Sequence, residues 1–330
     1  MSLADAFHAR NVLITGGLGF IGSNLAIKLV QYGANVTILD SLVPQFGGSF
    51  FNISPVRNEV VVNISDMRDP HSLDILVQGK DYIFNLAGQV SHGDSMRDPQ
   101  LDLEVNCVST MNLVEACRKH NTGVRMLYTS TRQVYGRPQT LPVTEDHPTV
   151  PIDVNGINKL AAEYYHLLYH GTYGIRSTVL RLTNTYGPRQ QIRNNRQGFA
   201  GIFIRLALRG EKISLFGGGQ QLRDFNHVDD VVRAMLLGIT TDGCMGRFFN
   251  LGAERAYSLL EFVELLKKHC RFEVESIPFP DDKKIIDIGD YYGDFTRFRE
   301  ATGWRPEVEL DEGLNRTLAF YKEHKEVYWK

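Results

Sequence analysis

Long apolar runs are missing from this sequence. No stretch reaches the ~18 consecutive apolar residues that a membrane-crossing helix needs, and the longest candidate, Gly201–Leu208, is interrupted by Arg205. No membrane partner is therefore expected. A surplus of positive charge is also missing. Lys and Arg number 36 against 38 Asp and Glu, a formal net charge of −2, so no basic face for nucleic acid is implied. Cysteine is scarce: Cys107, Cys117, Cys244 and Cys270 form no CxxC pair. They read as scattered core thiols in a reducing compartment, not as a disulfide framework. Ten His show no HxH or HExxH pattern, so no metal site is expected. No signal peptide is visible, because the first apolar run, Val12–Ile14, reads as a strand, and cytoplasm is the default location. What remains is ordinary globular material: 330 residues, 43% hydrophobic and 22% charged, enough for one large or two modest domains.

The most informative stretch is Asn11 to Asp40. Asn11–Thr15 is a short apolar run of buried-strand type. Gly16, Gly19 and Gly22 punctuate a turn that also carries Phe20 and Ile21. Leu25, Ala26, Leu29 and Val30 then follow at helical spacing, and Val36–Leu39 is a second strand ending in Asp40. Strand, glycine turn, helix, strand and terminal acid describe a dinucleotide-binding unit. Glycine lets the backbone turn sharply and approach a pyrophosphate, which the following helix meets with free N–H groups and its positive end. Asp40, 24 residues after Gly16, can accept the adenosine ribose hydroxyls and would repel a 2′-phosphate. No Arg follows in Ser41–Pro44, which favours NAD over NADP.

Strands are next expected at Glu59–Val62, Asp81–Leu86, Val124–Thr129 and Ile175–Leu182, with long helices at Pro99–His120 and Asp153–Tyr173. In the first of these helices Leu103, Val105 or Asn106, Leu113, Val114 and Ala116 should turn inward. The alternation argues for an α/β chain with a doubly wound parallel Rossmann sheet. A smaller C-terminal α/β substrate lobe should cover the carboxyl edge of that sheet, where ligands bind. The expected division is 1–185 plus 225–255 for cofactor binding, and 186–224 with 256–330 for the lobe. Asp66 and Met67 lie beyond the third strand, where an acid meets an adenine amine or simply caps a helix before Asp69-Pro70. Leu86-Ala87-Gly88 supplies small residues where backbone passes under a cofactor. Thr129 and Thr131 close the fifth strand. The Thr131 hydroxyl suits a substrate hydroxyl or oxyanion, or else caps the next element.

The pattern Gly16-x-x-Gly19-x-x-Gly22, Asn85-Leu86-Ala87-Gly88, Asn106, Thr129-Ser130-Thr131 with Val134-Tyr135-Gly136, Asn158-Lys159, Tyr186-Gly187-Pro188-Arg189, Arg223-Asp224-Phe225 and Gly303-Trp304-Arg305-Pro306 resembles an extended short-chain dehydrogenase/reductase. The likeness is to the group acting on nucleotide sugars, covers almost the whole chain and follows family order. It implies bound NAD held through the glycine turn, Asp40, Asp66, Met67, Leu86, Ala87, Gly88, Asn106, Thr129 and Lys159. It also implies a nucleoside-diphosphate sugar as substrate and a homodimer built on the two long helices. Family members take a sugar hydroxyl proton with a Tyr four residues before the Lys, whose charge lowers the Tyr pKa.

Here Lys159 is present and the Tyr position holds Asn155, whose amide cannot act as that base. Three explanations stand side by side. Tyr135, Tyr186, Lys159 or His92 does the proton transfer; the protein binds NAD and sugar nucleotide without redox chemistry; or the substrate gives up its proton easily. Family dehydratases carry Asp-Glu where this chain has Arg132-Gln133, and decarboxylases usually carry Glu at the second of these positions. The resemblance therefore implies an NAD-dependent epimerase, at C4 or, by likeness to CDP-tyvelose 2-epimerase-like members, at C2. A dehydratase, decarboxylase or ketosugar reductase remains the alternative. Asn184, Arg189 and Arg223 are the expected substrate residues, the guanidiniums for bidentate contact with the diphosphate.

Overall fold

The computed structural model describes residues 2–280 and 286–329. Its centre is a sheet of seven parallel strands: β1 (Asn11–Thr15), β2 (Asn35–Asp40), β3 (Val60–Ile64), β4 (Tyr82–Asn85), β5 (Arg125–Thr131), β6 (Arg176–Leu182) and β11 (Arg247–Asn250). Their order across the sheet is β11-β6-β5-β4-β1-β2-β3. The chain order reverses between β1 and β4, which opens a crevice at the carboxyl ends of those strands. Parallel strands covered on both faces read as continuous apolar runs, and Val12, Leu13 and Ile14 are all fully buried.

One face is covered by helices Phe20–Gln31 and Val228–Thr240, whose Leu25, Leu29, Val231 and Met235 join the largest core cluster. The short helix Leu3–Phe7 adds Phe7 to the same cluster. The other face carries Leu113, Val114 and Cys117 from helix Ser109–His120. The expected single helix Pro99–His120 is modified at its centre. Residues Glu104–Val108 form a π turn in which the Ser109 amide donates to Glu104 O. The extra residue per turn brings Asn106 inward, 1% exposed, while Leu103, expected inside, is 38% exposed.

Beyond Asn184 the chain leaves the sheet in short pairs. β7 (Asn184–Tyr186) pairs with β10 (Phe225–His227), and β8 (Ile213–Phe216) with β13 (Val274–Ile277), both parallel. β9 (Leu222–Arg223) runs antiparallel to β12 (Tyr257–Ser258). Helices Gly198–Arg209, Leu259–Lys267 and Leu310–Glu323 pack around these pairs in a second core, with Phe203, Ile204, Phe262 and Leu314 inside.

One buried ion pair ties the layers together. Arg181 on β6 donates from Nε to both carboxylate oxygens of Glu163 (3.0 and 3.1 Å) and from Nη2 at 2.6 Å. Its Nη1 reaches the Tyr135 hydroxyl (2.7 Å), which donates to Asn250 on β11 at 2.7 Å. Glu163 and Arg181 are only 1% and 3% exposed, so removing one partner strands a buried charge. Arg181→Ala should cost about 3–5 kcal/mol in urea unfolding. The double change Glu163→Leu with Arg181→Met should be markedly milder, because no charge is then left buried.

Candidate active site

A cavity of about 580 Å³ opens along the carboxyl ends of β1, β2, β4 and β5. Its floor is the glycine turn. A side chain on Gly16 would place Cβ 2.9 Å from Ala87 backbone, and one on Gly22 would overlap the Gly16 carbonyl oxygen. Gly16 also has a positive φ of 69°. The turn therefore packs backbone on backbone, and helix Phe20–Gln31 begins immediately against the cavity. Thr15 supports the opposite wall, where its hydroxyl accepts from Leu86 N (3.0 Å) and Ala87 N (3.1 Å).

Asp40 marks one end. Its Oδ2 accepts from Leu18 N (3.0 Å) and its Oδ1 from Leu42 N (2.9 Å), leaving lone pairs free for two hydroxyls. Burial raises its pKa, and the two amide hydrogen bonds oppose that rise. Asp66 lines the same end beside Met67 but is gripped by Arg68, whose Nη2 lies 2.7 Å from Oδ2. That guanidinium lowers the Asp66 pKa. The helix-capping role weighed for Asp66 belongs to Asp69, which accepts from His71 N and Ser72 N.

The other end is built from β5 and helix Val154–Tyr173. Thr131 accepts from Gln133 N (3.2 Å) and so caps the turn Arg132–Tyr135, yet its hydroxyl proton stays available to the cavity. Lys159 Nζ donates to Thr129 O (3.2 Å) and sits 4.9 Å from the Tyr128 ring centre. Burial lowers its pKa to about 8, with Asp102 and Glu163 pulling the other way. Asn155 lines the cavity, and both protons of its amide nitrogen are engaged: Nδ2 donates to Gln89 O (2.9 Å) and to Asp102 Oδ2 (3.2 Å). Asn158 and Gln89 also donate to Asp102, at 2.8 and 3.0 Å. Asn106 donates to Gln89 O (3.0 Å), and its Oδ1 is buried without a partner beside Gly88.

His92 also lines this end, with Nδ1 at 3.0 Å from Asp153 Oδ2. The contact is at ion-pair distance without hydrogen-bond alignment. Burial opposes ionisation of Asp153, but its contacts with His92, Gln133 Nε2 and Gly156 N hold the pKa below the ordinary value.

Four expected residues stand elsewhere. Arg189 is spent on Asn52 O and Asn24 Oδ1, both at 3.0 Å. Arg223 is buried behind the cavity wall, donating to Leu222 O and Gly289 O. Tyr135 is completely buried in the ion-pair network, and its phenol is pushed up to about 12, first by burial. Tyr186 is likewise buried, pointing at Leu310 O. None of the four lines the cavity among the described residues. The guanidinium that does so at this end is Arg132, which sequence reasoning used only to argue against acids. It donates to Asn184 Oδ1 (2.8 Å), and its buried Nε has no partner. Its position directly after Thr131 was the available signal.

These residues fit a dinucleotide: a glycine cradle that Cβ atoms would fill, a carboxylate with free lone pairs at one end, and an orphaned Asn106 oxygen near the middle. The model of the NAD dependent epimerase/dehydratase family matches residues 12–252. The chain belongs to that family. A UDP-glucose 4-epimerase of Mycolicibacterium smegmatis is 33% identical over 320 residues, covering 94% of this chain and 98% of that protein. A UDP-glucuronic acid decarboxylase 1 of Xenopus tropicalis is 29% identical, covering 96% and 73%. The crystal structure of a UDP-glucose 4-epimerase with UDP-glucose from Thermotoga maritima superposes with a TM-score of 0.87 at 32% identity, covering 96% of this chain and 99% of that one. Relatives of similar rank thus carry out different reactions, and this chain's own residues must separate them.

The depressed lysine has a consequence for stability. Its folded pKa of about 8 lies below the ordinary 10.5, so between those values the unfolded chain binds more protons than the folded one. Stability from this group therefore rises with pH across that window and is constant below it. Relative to Lys159→Met, the wild type should gain up to about 3 kcal/mol between pH 8 and 10.5 in denaturant titrations. A parallel pH dependence of the two proteins would contradict the assigned burial.

Proposed function

We propose that this protein is an NAD-dependent epimerase of a nucleoside-diphosphate sugar. Oxidation occurs at C4, with C2 the alternative centre, through hydride transfer to bound NAD and a keto-sugar intermediate. One observation carries the choice within the family. Among the described residues lining the cavity, the carboxylates are Asp40 and Asp66, both at the end suited to adenosine. At the sugar end, position 132 is Arg, and Gln133 turns away to donate to Asp153 (2.9 Å). Elimination of water needs a positioned acid and base, and no cavity carboxylate supplies them there. Epimerisation asks only for reversible loss of one proton and one hydride.

In this reading the glycine turn and Asp40 hold NAD, with Phe20, Ile21, Met67, Leu86, Ala87, Gly88, Asn106 and Thr129 along its path. Thr131 hydrogen-bonds the reacting hydroxyl. Arg132 and Asn184 face the diphosphate in place of Arg189 and Arg223. NAD supplies reversible hydride acceptance when bound. The lobe formed by 186–224 and 256–330 closes over the sugar, supported by its separate core. The NMR spectrum of the protein mixed with a panel of UDP-, CDP-, GDP- and dTDP-sugars should show one substrate converting to its epimer without net consumption of NADH. Loss of water or carbon dioxide from the substrate would select the dehydratase or decarboxylase instead. A non-catalytic binding protein, suggested by Asn155, would show no transient absorbance near 340 nm with any sugar.

We also propose a homodimer through the long helices. Ile157, Tyr164 and Leu168 leave an apolar stripe 53–60% exposed on helix Val154–Tyr173, and Leu103 is exposed on its neighbour. Such a stripe is costly to leave in water. Leu168→Glu should convert a particle of twice 37.3 kDa to the single mass in light scattering.

A further inference from the structure

The site holds a second arrangement that the family's tyrosine chemistry does not use. His92 opens helix His92–Arg97, and that helix is fastened to the first turn of helix Val154–Tyr173, where the missing tyrosine would stand. Ser95 makes the fastening. Its hydroxyl accepts from Asn155 N (3.3 Å) and donates to His92 O (2.8 Å). On the imidazole, Nδ1 faces Asp153 Oδ2 at 3.0 Å. The Asp153 side chain is 0% exposed, and it is fixed from two further sides by Gln133 Nε2 (2.9 Å) and Gly156 N (2.6 Å). The His92 side chain is 37% exposed and borders the cavity together with Thr131, Asn155 and Lys159. No hydrogen bond of its Nε2 is found among the described residues, and Nδ1, though close to Asp153, is buried without an aligned hydrogen-bond partner. A carboxylate at ion-pair distance from one ring nitrogen favours the proton on that side and leaves the other nitrogen as the working base, as a hydrogen-bonded carboxylate does in acid–base histidines.

We propose that His92 is the general acid–base of this enzyme and that Asp153 is its positioning residue. The inference rests on the epimerase reading and deepens it by naming the group that replaces the tyrosine. In the forward half-reaction the O–H bond of the sugar hydroxyl breaks and its proton goes to His92 Nε2. The C–H bond on the same carbon breaks and its electron pair leaves as hydride to NAD⁺, so a C=O bond forms. The imidazolium is balanced by the Asp153 carboxylate. The return half-reaction delivers hydride to the other face of the carbonyl and the Nε2 proton to its oxygen, restoring both partners.

The test compares wild type, His92→Ala and Asp153→Asn as full-length protein with NAD. His92→Ala should lower kcat at least about 100-fold and leave the affinity for UDP, measured by calorimetry, unchanged. Added imidazole should recover part of the rate, which a purely structural role would not allow. In ¹⁵N NMR of the wild type, the His92 proton should reside on Nδ1. In Asp153→Asn it should move to Nε2, with kcat falling and KM for the sugar nucleotide held. Wild type inert toward the whole sugar panel overturns the epimerase reading, and this inference with it. Active wild type with an equally active His92→Ala, or a His92→Ala that imidazole cannot rescue, overturns the inference alone.

Discussion

Close backbone approach at the first turn is the constraint on which the rest of the site depends. Gly16 must pass Ala87 with no room for a side chain, Gly17 presses on Ile38, and Gly22 meets the Gly16 carbonyl. These contacts seat helix Phe20–Gln31 directly on the mouth of β1 and β4. Because the strand order reverses at that point, the same contacts set the width of the crevice and aim the free N–H groups of the helix into it. Asp40 depends on this geometry too, since one of its amide donors, Leu18 N, belongs to the turn. A shift of the turn would therefore misplace both the helix amides that face the crevice and Asp40.

A second organising feature is the carboxylate of Asp102, 1% exposed and held by the amides of Gln89, Asn155 and Asn158. A buried charge is tolerable when its lone pairs are met by donors. Three neutral amides do so here. The arrangement joins helix Pro99–Leu103, the loop after β4 and the first turn of helix Val154–Tyr173 into one frame. The π turn at Glu104–Val108 serves the same frame, because it brings Asn106 to the Gln89 carbonyl. Asn155 is thus a structural member of the wall.

Much of this was legible in the sequence. Strands buried on both faces leave continuous apolar runs, so β1, β5 and β6 were placed to within about two residues, and the glycine turn with Asp40 announced its ligand. What escaped was non-local. The order of strands depends on pairings between distant segments, and the π turn is tied by Asn106 to a loop residue, Gln89, 17 positions upstream. Arg189, Arg223 and Tyr135 sit in motifs near the crevice, yet the direction of each side chain is set by partners that a motif does not contain: Asn52, Gly289 and Arg181. Arg132 was visible as a residue but not as the guanidinium that faces the cavity.

Asn155, where the resemblance implies a tyrosine, changes what Lys159 can do. In the family its charge lowers the pKa of the neighbouring phenol; here no phenol lines the cavity among the described residues. The lysine is buried against Thr129 O and the Tyr128 ring, with its own pKa lowered to about 8 by that burial. Near neutrality most of the charge survives, and its field falls on the same wall as Arg132. A cavity end with two cations and no carboxylate of its own favours negative charge on the bound molecule, both the fixed charge of a diphosphate and the charge that develops on a sugar oxygen as its proton departs. That field lowers the demand on the base.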